Sequence, residues 1–391
     1  MKATFFFFLL SLFLSVGHAQ TLLWKSGTEG MIYSSPVTDG QTVFIGSEDG
    51  HLYAFEPATG KPKWKFRTEG AVSSTPCISR SLVFITSRDG SFYAIEKNTG
   101  KLHWKFTTEG ERIYDTWDYY LSGAVVSDET VFFGSGDGHI YALNQQTGQQ
   151  VWKFKTGDVV HATPVVYNDK VYVGSFDGFF YVLSKDSGKL IWKFDTIGDT
   201  YFPKGEIQKA ATVANNIVYF GSRDYNIYAL DAEKGTGHWN MKETGSWIIS
   251  TPFIKDKTVY FGTSDTHAFY ASDATNGTIK WKLPVNMRVY SSCISDESNV
   301  YFGCFDGKLY AVNRQTGEIV WIFQTENSLK NYSTVYDSQG KFQSNFNLYG
   351  ENSQQAEAMI MELGAILSTP LLHNGILYFG STDGNLYALK L

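Results

Sequence analysis

"YALNQQTGQQVWKF", residues 141–154, decides how this chain is read. It holds a short apolar strand, a turn ending in Gly148, and a second strand with Trp152 near its centre. Close relatives of it recur throughout: Trp64, Trp104, Trp152, Trp192, Trp239, Trp281 and Trp321 each follow a Gly turn, and Trp24 heads the series without one. Successive Trp spacings are 40, 40, 48, 40, 47, 42 and 40 residues. A second marker, an Asp usually followed by Gly, stands at Asp49, Asp89, Asp137, Asp177, Asp224, Asp265, Asp306 and Asp383. Both series count eight, and a period of this length means stacked supersecondary units.

Each unit reads in one order: a small-residue strand such as "VSSTP", a strand "LVFITS", a turn "RDG", a strand "SFYAIE", a turn "KNTG" and a strand "KLHWKF". Four short strands per repeat describe a propeller blade. The Gly and Asp-Gly turns supply positive φ cheaply, and strands such as "TVFIG" are apolar on both faces, as blades sandwiched between neighbours require. Each Trp is expected to cover the joint between two blades, burying on the order of 200 Å². The last unit stops at "NLYALKL" without a fourth strand, whereas "TLLWKS" is a fourth strand with no preceding three. The expected fold is therefore all-β: an eight-bladed propeller of four-stranded antiparallel blades, closed by residues 21–26 pairing with the blade at about 365–391.

Lys2 followed by "FFFFLLSLFLSVG" reads as a secretory signal peptide over residues 1–19,. One propeller domain over 20–391, exported to the periplasm or secreted, is the expectation. No later stretch approaches the ~20 apolar residues of a membrane helix, and no Cys follows the leader, so neither a membrane span nor a lipid anchor is expected. The formal net charge of −6 argues against nucleic acid as a partner,. Cys77, Cys293 and Cys304 allow at most one disulfide, and free buried thiols are the expectation,. No phosphate loop, GxSxG elbow, HExxH pair or Cys-x-x-Cys occurs, so no catalytic residue and no metal site is assigned. The Asp ring is read as turn chemistry rather than calcium binding.

The links after Trp104, Trp192 and Trp321 are longer than the rest, at about 110–122, 197–209 and 324–364. All leave an outer strand for the next inner strand, so they should share one face with the Asp-Gly turns, where propeller function sits. Tyr114, Trp117, Tyr119, Tyr120, Tyr201 and Phe202 are the candidate contacts to a protein or glycan; the alternative is that the rings of the first link fold back over the barrel end. The third link is read as a lid with a short helix at "QQAEAMIMELG", or as disordered. Aligned inner strands place Ser34, Ser74, Ser122, Ala162, Lys209, Ser250, Ser291 and Ser368 in one ring, mostly hydroxyl with one cation. Tyr33, His161, Gln208, Trp247, Arg288 and Tyr290 would surround the channel mouth and help Lys209 hold a small anion, unless the small residues only serve a narrow channel.

The units "YAFEPATGKPKW", "YAIEKNTGKLHW", "YALNQQTGQQVW", "YVLSKDSGKLIW" and "YAVNRQTGEIVW" resemble the Trp-docking repeat of the pyrroloquinoline quinone (PQQ) family of eight-bladed propellers, over nearly all of residues 20–391. That resemblance implies either a quinone-dependent dehydrogenase of alcohols or sugars, or a noncatalytic member like the propeller of the outer-membrane β-barrel assembly machinery. The enzymes hold their quinone against adjacent, disulfide-linked cysteines with a calcium ion, and no two cysteines are adjacent here. The leading expectation is a noncatalytic, monomeric binding or scaffold protein without a cofactor. The alternative is a reduced dehydrogenase in which Lys209 and Arg288 pair the carboxylates of PQQ beside calcium.

Overall fold

Each repeat folds into one four-stranded antiparallel sheet, and eight such sheets form the ring in the computed structural model, which describes residues 20–391. The proposed signal peptide lies outside the described residues. In the third blade the strands are Ala124–Ser127, Thr130–Gly134, His139–Asn144 and Gln150–Lys155, paired in sequence order from the channel outward. The second and third strands of each blade are almost wholly buried between neighbouring blades, and the outermost alternates exposed and half-buried residues around its Trp. Thr21–Gly27 pairs antiparallel with Asn385–Lys390, so the N-terminal strand completes the last blade and closes the ring.

The Gly turn and the Trp form one device acting between blades. Each indole N–H from Trp24 to Trp281 donates to a carbonyl in the next blade's outer turn, as Trp152 does to Lys185 at 2.8 Å and Trp281 to Arg314 at 2.9 Å. The turn glycine lies flat beneath the ring. At Gly188, φ is +65° and an added Cβ would stand 2.6 Å from Trp152 Cδ2, so neither the backbone nor the space admits a side chain,.

The inner strands begin later than the sequence reading placed them. "VSSTP" is not a strand; the paired segment starts after it, at Cys77–Ser79. The hydroxyl ring does not line the channel either. Each serine of the ring accepts an N–H from its own second strand: Gly46 to Ser34, Thr86 to Ser74, Gly134 to Ser122, Gly262 to Ser250, Gly303 to Ser291 and Gly380 to Ser368, at 2.7–3.1 Å. Several also donate to the neighbouring link, as Ser34 does to the Ser74 carbonyl at 2.8 Å. These side chains are buried struts. All three cysteines are free, and Cys293 faces Phe302 across the strand pair rather than Cys304.

Candidate functional site

The face that carries the Asp turns is held by a repeated bond. In seven blades the Asp Oδ2 accepts the hydroxyl of the Tyr four residues on, as Asp177 does from Tyr181 at 2.7 Å. Its Oδ1 accepts the backbone N–H two residues on, 2.9 Å for Phe179. The sixth blade departs. "DTHAFY" sets Asp265 five residues before Tyr270, one more than elsewhere, and Asp265 turns instead to the hydroxyl of Tyr349 and, at 3.6 Å, to Arg288 Nε. The carboxylate that braces a turn in its sister blades is thereby delivered to the mouth of the propeller.

Over that mouth the three long links meet, the first bridging the other two. Tyr114 donates to Glu206 at 2.8 Å, Gln208 donates to the Trp117 carbonyl at 2.9 Å, and the Tyr119 hydroxyl bonds Glu357. His161 pins the first link to the fourth blade: its Nδ1 lies 2.9 Å from Asp118 and its Nε2 2.7 Å from Glu111. Burial alone would favour the neutral imidazole, but the two carboxylates outweigh it and raise its pKa to about 9,. The third link is ordered by two helices, α1 (Glu326–Val335), capped by Thr325, and α2 (Ser353–Glu362). The second matches the helix read at "QQAEAMIMELG"; the first was not read.

The links enclose an aromatic pocket of about 210 Å³ walled by Trp117, Phe202, Trp247, Tyr290 and Tyr349, with Asp115, Asp265 and Arg288 among its lining. Trp247 packs edge-on against Trp117 and Phe202, with ring centroids 5.7 and 5.0 Å away. Behind it Arg223, 2% exposed, ion-pairs Asp115 at 2.5 Å, bonds Gln208 at 2.8 Å and stacks 4.4 Å from the Trp247 ring. Arg288 pairs Glu357 at 2.8 Å, and the surrounding carboxylates and phenols hold it protonated.

The sequence-derived contacts divide. Trp117 and Phe202 line the pocket, Tyr114 is half-buried under the first link, and Tyr201 is 79% exposed. Tyr119 and Tyr120 are 7% and 4% exposed: they turn down into the channel mouth and, with Tyr33 and Tyr290, plug it. The rings thus fold back over the barrel end there, because an open apolar channel mouth is better filled by aromatic side chains than by water. Of the mouth residues, Trp247 and Tyr290 reach the pocket, while His161 and Gln208 are consumed by internal bonds. Lys209 and Arg288 do not converge, since the tyrosine plug separates the cavity of the one from the pocket of the other. Arg223, Asp265 and Tyr349 were missed. The five-residue spacing in "DTHAFY" is the signal by which Asp265 was open to detection.

The donor set does not fit the quinone and calcium of the dehydrogenases. Cys293 and Cys304 sit apart and buried, Arg288 is already neutralised by Glu357, and Tyr119 and Tyr120 occupy the channel mouth. Among the described residues no three His, Cys, Asp or Glu side chains group as metal ligands.

Comparison with known proteins agrees with this architecture. The family model described as outer membrane protein assembly factor BamB matches residues 16–114, 115–210 and 181–391. BamB of Yersinia pestis is 26% identical over 185 residues, 46% of this chain and 40% of that protein, and BamB of Moranella endobia is 23% identical over 191 residues, 48% and 42%. The matched segments thus span about two fifths of those relatives. Among solved structures, BamB from Moraxella catarrhalis superposes with a TM-score of 0.72 at 17% identity over 95% of this chain and all of that one. A europium-containing methanol dehydrogenase gives 0.69 at 13% identity over 95% and 93%, a likeness of fold. Matched by its family model along nearly its whole length, the chain belongs to the BamB-like family of eight-bladed propellers.

Proposed function

We propose that the protein is a noncatalytic, exported docking propeller that engages a protein of outer-membrane assembly through the face built by its three long links. One observation carries this reading: among the described residues the five most exposed large apolar side chains, Ile113, Ile197, Tyr201, Leu329 and Tyr349, at 54–79% exposure, all lie on those links. Aromatic and aliphatic side chains held in water on ordered links, one of them, Tyr349, also lining the pocket, are the composition of a recognition surface,. The pocket would receive one anchoring side chain of the partner, with Arg288 and Asp265 fixing its polar neighbours. The signal-peptide-like sequence of residues 1–19 and membership of the BamB-like family support export to the periplasm as part of this reading. No described helix is long and apolar enough to cross a membrane.

The test is Trp117→Ala. Trp117 is half-buried and packs on the loop face rather than between blades, so the variant should keep its far-UV spectrum and melting profile. Co-purification of assembly-machinery subunits from the native envelope should fall at least tenfold. Undiminished co-purification with a variant shortened in all three links would end the reading.

A further inference from the structure

One position of the repeat breaks a structural rule inside the channel. Six of eight blades place a serine where its hydroxyl accepts an N–H from the second strand, and the fourth has Ala162. The fifth blade has Lys209, which forgoes that bond and instead reaches a cavity of about 350 Å³ on the channel axis. The cavity is collared by Pro36, Pro76 and Pro370, with Thr75, Thr163 and Thr251 between them. Each chain link enters its blade from the long-link face and descends, so this cavity lies below the tyrosine plug and is reached from the opposite end of the propeller.

Lys209 Nζ sits 3.2 Å from the centre of the Tyr120 ring, against the underside of the plug. Among the described residues it makes no hydrogen bond or ion pair, and no Asp, Glu, His or Arg lines the cavity. Tyr120 is the titratable group facing it; the Tyr120 hydroxyl is committed to the Leu367 carbonyl at 3.1 Å, with Tyr33 and Tyr290 beyond. Lys209 is half-buried, lines the cavity and gains no counter-charge there, and the desolvation it suffers lowers its pKa to about 7,. Six sister blades hold a serine strut at this position, so the repeat itself does not call for a cation there.

We propose that the blind end of the channel is a binding site for a small organic carboxylate, whose anionic end pairs with Lys209 and whose apolar body sits in the proline collar. The site is separate from the long-link face, and its occupancy does not depend on the docking reading above. Binding is coupled to protonation, because only the ammonium form pairs with the anion and the anion in turn stabilises that form. With a free amine half-protonated near neutrality, the apparent Kd should rise about tenfold from pH 6 to pH 8, as the competent fraction falls.

The experiment is isothermal titration of the full chain with butyrate and, separately, inorganic phosphate, at pH 6, 7 and 8 in buffers of different ionisation enthalpy. Butyrate should bind once per chain, weaken about tenfold over that range, and take up close to one proton at pH 8. Lys209→Ser, which restores the serine of the sister blades, and Lys209→Met, which keeps the length without the charge, should both abolish it while melting as the parent does. Butyrate binding that survives both variants, or is independent of pH, overturns the proposal. So does phosphate binding in preference to butyrate, or no butyrate binding at any pH.

Discussion

Raising the pH should unfasten the first long link through His161. Its imidazole is buried between Asp118 and Glu111, beside Arg88 and edge-on to Phe176, and its pKa rises from 6.5 to about 9 on folding. A group whose folded pKa is raised stabilises fully below its unfolded value and loses that contribution as pH climbs through its folded one. The window here is pH 6.5 to 9. A shift of this size corresponds to about 3 kcal/mol, an upper figure because the Glu111 side of the pair is nearer solvent. His161→Gln keeps a polar side chain but removes the titration, leaving Asp118 without its cation. Urea unfolding followed by Trp fluorescence at pH 6, 7.5 and 9 should therefore show the stability difference between parent and variant, which isolates His161 from other groups titrating in this range such as Lys209, shrinking as pH rises until the two converge near pH 9,. Parallel slopes for the two proteins would refute the assignment of charge to this imidazole.

Further outcomes follow from the blade joints and can be read as shifts in the urea midpoint. Gly188→Ala meets both a φ of +65° and the Trp152 ring, and should cost more than about 1 kcal/mol, whereas Gly237→Ala, with nothing within 4 Å of its Cβ, should be near neutral,. Equal losses would contradict the docking device. Trp281→Phe removes an indole bond to Arg314, while Trp321 makes no such bond among the described residues, because in the last blade Asn385–Lys390 pairs with Thr21–Gly27 from the other end of the sequence and no Gly turn joins the two strands. Trp281→Phe should therefore be the costlier by about 1 kcal/mol, and equal midpoints would show that the bond contributes nothing net.

The repeat was legible because its signals are local. A turn glycine, a Trp four residues on and an Asp-Gly turn each report a backbone constraint within a few positions, and their phase fixes blade number and ring closure. The candidate site was legible only in part. Trp117, Phe202 and Tyr201 could be named from their place on long links, but Tyr119 and Tyr120 look the same in sequence, and which rings turn inward depends on the space left by seven other blades. Arg223, Asp265 and Tyr349 come from separate blades and a distant link, so no local pattern groups them. The serine ring was aligned correctly and given the wrong role, since alignment sets the level of a residue in the channel but not whether its hydroxyl faces the axis or the neighbouring backbone.

Site-specific photo-crosslinking in cells tests the central claim most directly, with the photoreactive residue placed at Tyr201 on the long-link face and, as the control, at Leu102 on the outer rim, 79% and 49% exposed. The account predicts that an outer-membrane assembly subunit is captured from position 201, that capture is lost when Trp117→Ala is added, and that position 102 captures none. Capture from the rim alone, or capture at 201 that ignores Trp117, would contradict it.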